Sequence, residues 1–188
     1  MFKLTKPRRC DEAHFEIFTS LPQDLQEAIR LTKARHKPNR DTDWSLVITN
    51  RRRRAISLRR QKKEAEGKLT VAVPTEGNDP GYPLFAGTRL IGCLTTKYTT
   101  NGVFYLVLSI GEVCVLQDEH TKATFEATPA EIAKWSNLRW AMTYSRAQGS
   151  TLRGSVGLWD LNSSHFTLAN LYVGISRVRD GNLLHANI

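Results

Sequence analysis

Two short runs toward the end of this 188-residue sequence put chemistry-capable side chains at the ends of apolar strands. In the first, Trp140-Ala141-Met142-Thr143-Tyr144 leads directly into Ser145-Arg146-Ala147-Gln148-Gly149-Ser150-Thr151. In the second, Tyr172-Val173-Gly174-Ile175-Ser176-Arg177 closes an amphipathic segment ahead of a last apolar run, Asn182-Leu183-Leu184-His185-Ala186. Between them stands another apolar strand, Ser155-Val156-Gly157-Leu158-Trp159-Asp160. Strand, polar turn, strand, helix, strand, with functional groups at the strand ends, is how α/β nucleotide-handling domains place their sites. Singly, Gln148-Gly149 reads as a tight turn and Ser176-Arg177 as a solvated helix face. Together and in this order, each beside its apolar strand, they read as a site.

The same grammar recurs upstream. The strand Trp44-Ser45-Leu46-Val47-Ile48-Thr49-Asn50 feeds into Arg51–Arg54, Arg59, Arg60, Lys62 and Lys63, eight cations in thirteen residues. With Ala55, Ile56 and Leu58 interspersed, this segment is expected to be a helix with one narrow apolar stripe and a broad cationic face. Three readings compete for it: a solvated charged helix, a nuclear localisation signal, and a contact to a nucleic-acid backbone. The net charge of +9 favours an anionic partner.

Ahead of that strand, Met1–Arg9 is short and basic and suits an edge strand. Residues 11–35 read as two helices broken at Pro22, with Ser20 capping the second and Pro22 in its first turn. Behind the basic helix, Lys68–Thr75 alternates as a strand, and Glu76–Pro83 is dense in turn formers. Three β-rich runs follow, Leu84–Thr96, Val103–Leu116 and Ala123–Ala127, with Asn101-Gly102 as a hairpin signal between the first two. Thr128-Pro129-Ala130-Glu131 carries a cap, a proline and an acid, the opening of a short helix toward Trp135. The expected fold is α/β: a parallel sheet flanked by helices, with a small all-β unit inserted. Residues 1–83 and 128–188 would form the two parts of the main domain and 84–127 the insertion.

These residues resemble the signature motifs of superfamily 1 helicases, most closely the RecD-like branch that includes Dda. Thr143, Tyr144, Ser145, Arg146, Ala147, Gln148, Gly149, Ser150 and Thr151 follow motif V there, and Tyr172, Val173, Gly174, Ile175, Ser176 and Arg177 follow motif VI. Thr49, Asn50 and Arg51 match motif IV, and residues 4–21 loosely match the start of the second motor domain. The resemblance implies a RecA-like fold and a small barrel, similar to Src-homology 3 domains, at the β-rich insertion; at about 45 residues a plain hairpin is the alternative. It further implies that Arg177 is an arginine finger, that Gln148 relays to the γ-phosphate, and that Gly149, Arg51 and Ser176 line the nucleotide site. Thr49, Asn50, Arg52, Thr143, Ser145 and Arg146 would contact single-stranded DNA or RNA. ATP and Mg²⁺ would be shared with an N-terminal RecA-like ATPase domain, in cis or in trans. The sequence departs from the family pattern at Ser145 (usually His), Arg146 (usually Lys), Ala147 (often Ser) and Gly174 (usually Ala).

The resemblance covers only the C-terminal half of such a motor. No GxxxxGK[ST] phosphate loop occurs in these residues, nor an acidic pair placed to hold Mg²⁺. The chain alone is therefore expected not to hydrolyse ATP, and a stand-alone basic nucleic-acid- or partner-binding module is the alternative reading. A nuclease or methyltransferase finds little support, because no clustered carboxylates or Gly-rich cofactor turn are present. Cys10, Cys93 and Cys114 lack metal-ligand spacing and read as free thiols, so no metal site is expected. With no apolar run near the roughly 20 residues a bilayer demands, no membrane association is expected, and the home is cytoplasm or nucleus.

Overall fold

The computed structural model describes residues 12–187, so the edge strand expected over Met1–Arg9 lies outside them. In chain order the elements begin α1 (Glu12–Thr19), α2 (Leu25–Arg35), β1 (Trp44–Val47), α3 (Asn50–Ala65), β2 (Val71–Val73), β3 (Tyr82–Leu84), β4 (Arg89–Gly92), β5 (Phe104–Ser109) and β6 (Cys114–Asp118). They continue β7 (Thr124–Ala127), α4 (Pro129–Trp135), β8 (Ser136–Leu138), β9 (Ala141–Thr143), α5 (Tyr144–Ala147), β10 (Val156–Leu158), α6 (Leu168–Ile175), a 3-10 turn over Gly181–Leu183, and β11 (Leu184–Ala186). The chain divides into two compact units, one from the residues up to Arg53 together with Ala141 onward, the other from Arg54–Trp140.

The first unit is built on a four-stranded sheet of order β11-β10-β1-β9, parallel throughout. Every residue of β1 is buried, as a central parallel strand covered on both faces requires. Helix α2 starts from Asp24, whose Oδ1 accepts the Glu27 N–H at 2.8 Å. Ser20 is therefore not the cap: its hydroxyl donates to the Glu16 carbonyl at 2.7 Å and closes α1, while Pro22 lies in the connection. The two acceptor oxygens of Asp, beside the positive end of the helix, make it the stronger cap.

The second unit holds a two-stranded ribbon, β2-β3, and a five-stranded antiparallel sheet of order β7-β6-β5-β4-β8. The expected insertion at 84–127 falls within it, and the sheet also takes β8 from beyond that range. It exceeds a hairpin, and its hydrogen-bonded order ends at β7 and β8. Val103–Leu116 divides into β5 and β6 around Gly111, with a register shift between Val107 and Ser109. Asn101-Gly102 does serve the β4–β5 hairpin, but at the end of a long loop. Only Gly102 has positive φ (85°), and its N–H donates to the Gly92 carbonyl at 2.9 Å. Threonines sustain that loop: the Thr96 and Thr99 hydroxyls meet at 2.9 Å, and the Thr100 N–H donates to the Tyr105 hydroxyl at 2.8 Å. The capping box at Thr128 and Glu131 forms as expected, and Ile132 and Trp135 of α4 pack into a core with Leu84, Leu90, Tyr105 and Leu116.

Gly174 is a packing requirement. A Cβ there would stand 2.6 Å from Leu158 Cδ2 and 3.0 Å from Tyr144 Cε1, both on buried side chains. Glycine weakens helix α6 by about 1 kcal/mol, yet overpacking this contact would cost about 1–3 kcal/mol. Gly174→Ala is therefore expected to lower the urea midpoint despite its better helix propensity; a raised midpoint would show that Leu158 and Tyr144 can move aside.

Candidate functional site

In open α/β sheets, ligands bind outside the carboxyl ends of the strands. The carboxyl ends of β1 and β9 are neighbours, with Val47 paired to Thr143, so two of the sequence runs come side by side. Thr49 Oγ1 accepts the Arg52 N–H at 3.2 Å and caps α3, and Thr143 Oγ1 accepts the Arg146 N–H at 3.3 Å and caps α5. Each hydroxyl keeps its own proton for a further acceptor. Asn50 Oδ1 is taken by the Nε of Arg53 at 3.1 Å. Arg51 and Ser145 are exposed, and Arg146 is half-buried.

Helix α3 opens with four consecutive arginines after Asn50 and no acid in its first turn, against the helix dipole, which favours negative charge at this end. Three of the four have internal partners. Arg53 is buried; Arg54 Nε meets Asp79 Oδ1 at 2.8 Å; Arg52 Nε lies 3.7 Å from Asp160 Oδ1, with its guanidinium 5.4 Å from the centre of the Trp159 ring. Asp160 also binds the end of β1, its Oδ2 accepting the Ile48 N–H at 3.0 Å. Sequence reasoning missed Asp160 and Trp159; the signal was an apolar strand, Val156–Trp159, ending on an acid. Beneath them the buried Tyr144 hydroxyl donates to the Trp159 carbonyl at 2.9 Å, and burial, with the Asp160 charge adding to it, pushes its pKa well above the usual tyrosine value.

Gln148 and Arg177 come together in a second place, an open groove of about 690 Å³ that also takes in Tyr172, Val173, Leu168 and Gln23. The strand-end residues Thr49, Asn50, Thr143 and Ser145 do not line it, nor does Arg51, which the resemblance assigns to the nucleotide site and which follows Asn50 beyond the end of β1. Two backbone-linked bonds join the segments: the Leu152 N–H donates to the Arg177 carbonyl, and Arg177 Nη1 to the Ser150 carbonyl, both at 3.0 Å. Arg177 Nε donates to the Val173 carbonyl at 3.2 Å and Nη2 to Ser176 Oγ at 2.9 Å, so neutral acceptors are among the groups that hold the guanidinium. Ser176 is thus an orienter of Arg177. Gly149 sits at φ 85° with open space around its missing Cβ, so conformation, not close approach, requires glycine here. Among the described residues no group of three or more His, Cys, Asp or Glu could hold a metal ion, and no helix is long and apolar enough to cross a membrane.

A parallel sheet flanked by helices, with an antiparallel β unit spliced between its first and second strands, defines a RecA-like fold. Solved structures agree. The chain is similar to the Pif1 helicase of Candida albicans (12% identity, TM-score 0.60), over 94% of this chain and 53% of that one. It is also similar to Pif1 from Bacteroides sp., in complex with ADP-AlF4 (13%, TM-score 0.53) and unliganded (13%, TM-score 0.56), each over 96% of this chain and 50% of the other. The chain thus spans about half the length of the helicases it matches. No protein-family model matches the sequence, and no curated protein does so significantly.

Asp160 carries the bond that fixes the end of β1. Asp160→Ala leaves the Ile48 N–H without its partner and is expected to cost about 1–3 kcal/mol of stability, while Asp160→Asn, which keeps an acceptor and tolerates the φ of 61°, should cost less. Equal losses in denaturant melts would rule out the hydrogen bond as the reason.

Proposed function

We propose that this chain is the C-terminal motor half of a superfamily 1 helicase of the RecD-like branch, working with an N-terminal RecA-like ATPase domain in cis or in trans. The observation that carries the reading is the gathering of Gln148 and Arg177 about one groove, with Ser176 bonded to Arg177, apart from the polar strand ends of β1 and β9. A motor that converts hydrolysis into translocation needs two such surfaces on one rigid body.

ATP, held by the phosphate loop of the first domain, would meet the groove of this one. The Arg177 guanidinium, aligned by Ser176 and two backbone carbonyls, suits the charge that spreads over a γ-phosphoryl group during transfer. Gln148, exposed on the same groove, would relay to that phosphate. The described residues offer no carboxylate cluster, so Mg²⁺ would be held by the partner domain. On the other surface the hydroxyls of Thr49, Thr143 and Ser145, the Asn50 amide, and Arg51, Arg52 and Arg146 would bind the phosphates of single-stranded DNA or RNA. Closure around the nucleotide then shifts one set of strand contacts against the other domain's set. Such a protein works in the cytoplasm or nucleus.

Strand binding should be weak and steeply salt-dependent. Three phosphate contacts at about −0.7 each give a slope of log K against log salt near −2. Arg51→Glu should weaken binding and flatten that slope, while Arg177→Ala should leave both unchanged. Loss of strand binding in Arg177→Ala, with none in Arg51→Glu, would reverse the assignment of the two surfaces.

A further inference from the structure

A larger cleft in the first unit, about 850 Å³, is used by neither surface. It is bounded by α1, the C-terminal end of α2 and the connection from α6 to β11. Three cations line it, Arg35, Lys37 and Arg179, against one acid, Asp180, whose Oδ1 is occupied by the Asn182 N–H at 2.8 Å. Three imidazoles line it as well. Two have their tautomers set by backbone carbonyls: His14 Nε2–H donates to Ile175 O at 2.9 Å, and His185 Nδ1–H donates to Lys37 O at 3.1 Å. The third, His36, is 7% exposed, and its Nε2 is buried with no hydrogen-bond partner. At Gly181 a Cβ would stand 2.9 Å from His14 Nδ1, so the glycine keeps this wall of the cleft clear.

We propose that this cleft binds a phosphate-bearing anion, with Arg35, Lys37 and Arg179 around it and His36 in its wall. Like charges gathered about a cavity repel one another, and one multiply charged oxyanion relieves that repulsion. A metal cation would meet the same charges as repulsion. Burial, then the positive fields of His14, Arg35 and His185, hold the His36 pKa down to about 4, with the Gly181 backbone acting weakly the other way. An anion beside the ring opposes the neighbouring positive fields, so binding should draw a proton onto His36 and tighten as pH falls from about 6.5 toward 4.

The test is a titration of the full chain with inorganic phosphate, read by NMR at the histidine Cε1–H resonances, with the pH series run in sulfate, which stays a dianion throughout. Saturable shifts of His36, and a His36 midpoint rising from about 4 toward its ordinary 6.5, are expected. Lys37→Ala with Arg179→Ala, both exposed positions, should weaken binding by about tenfold or more. Arg177→Ala should change nothing, which separates this cleft from the nucleotide groove. Oligonucleotides ending in 5′-phosphate or 5′-hydroxyl distinguish the sources: a response to the phosphorylated strand above that to inorganic phosphate identifies a strand end, and equal responses identify a small free anion. Histidine resonances unmoved by every probe, or shifts that survive unchanged without Lys37 and Arg179 charge, would overturn the proposal.

Discussion

Strand β1 hydrogen-bonds in parallel to β9 on one side and β10 on the other, and both candidate surfaces depend on that pairing. Parallel neighbours cannot be joined by a tight turn. The chain leaving β1 at Val47 therefore travels through α3 and the whole β unit before returning as β9 at Ala141. Only that return pairs Thr143 with Val47, two residues before Thr49, and so brings the two polar strand ends to one edge of the sheet. Complete burial of Trp44–Val47 between two partners drives the assembly. Asp160 then pins the end of β1 from β10's side.

From this sheet the charges follow. A helix that opens on four arginines works against its own dipole, and the fold absorbs part of the cost through Asp160, Asp79 and the Trp159 face. Arg51 stays exposed at the strand ends, where a phosphate would complete the balance. Arg177 differs in kind. Carbonyls and one hydroxyl fix its guanidinium beside Gln148, an arrangement suited to charge that arises only during a reaction.

Local chemistry could be read from the residues alone. The strand at Trp44, the basic helix after it, the capping box at Thr128 and the order of elements from Trp140 to His185 all rest on patterns spanning a few residues. What could not be read depends on distant partners. Ser20 and Asp24 are both good caps, and the choice falls to Asp24 once α1 takes up the Ser20 hydroxyl. The Asn101-Gly102 signal marks a turn but not its loop length, which the threonine bonds and Tyr105 set. Helix propensity alone marks Gly174 as a weak point of α6, and only the fold shows Leu158 and Tyr144 filling the space beside it. The pairing of Gln148 with Arg177 followed from family resemblance, whereas His14, His36 and His185, scattered along the chain, met only in the folded unit.

The most direct measurement mixes the purified chain with a separately expressed phosphate-loop domain of the same motor and follows ATP hydrolysis with and without single-stranded DNA. The chain alone should show no turnover above background. The mixture should hydrolyse ATP in a strand-stimulated manner, and Arg177→Ala should cut kcat by about 10³ or more with strand affinity retained. Arg177→Lys should rescue little, because a point charge does not reproduce the planar fork. Strand-stimulated hydrolysis that persists undiminished in Arg177→Ala would contradict the assignment at its centre.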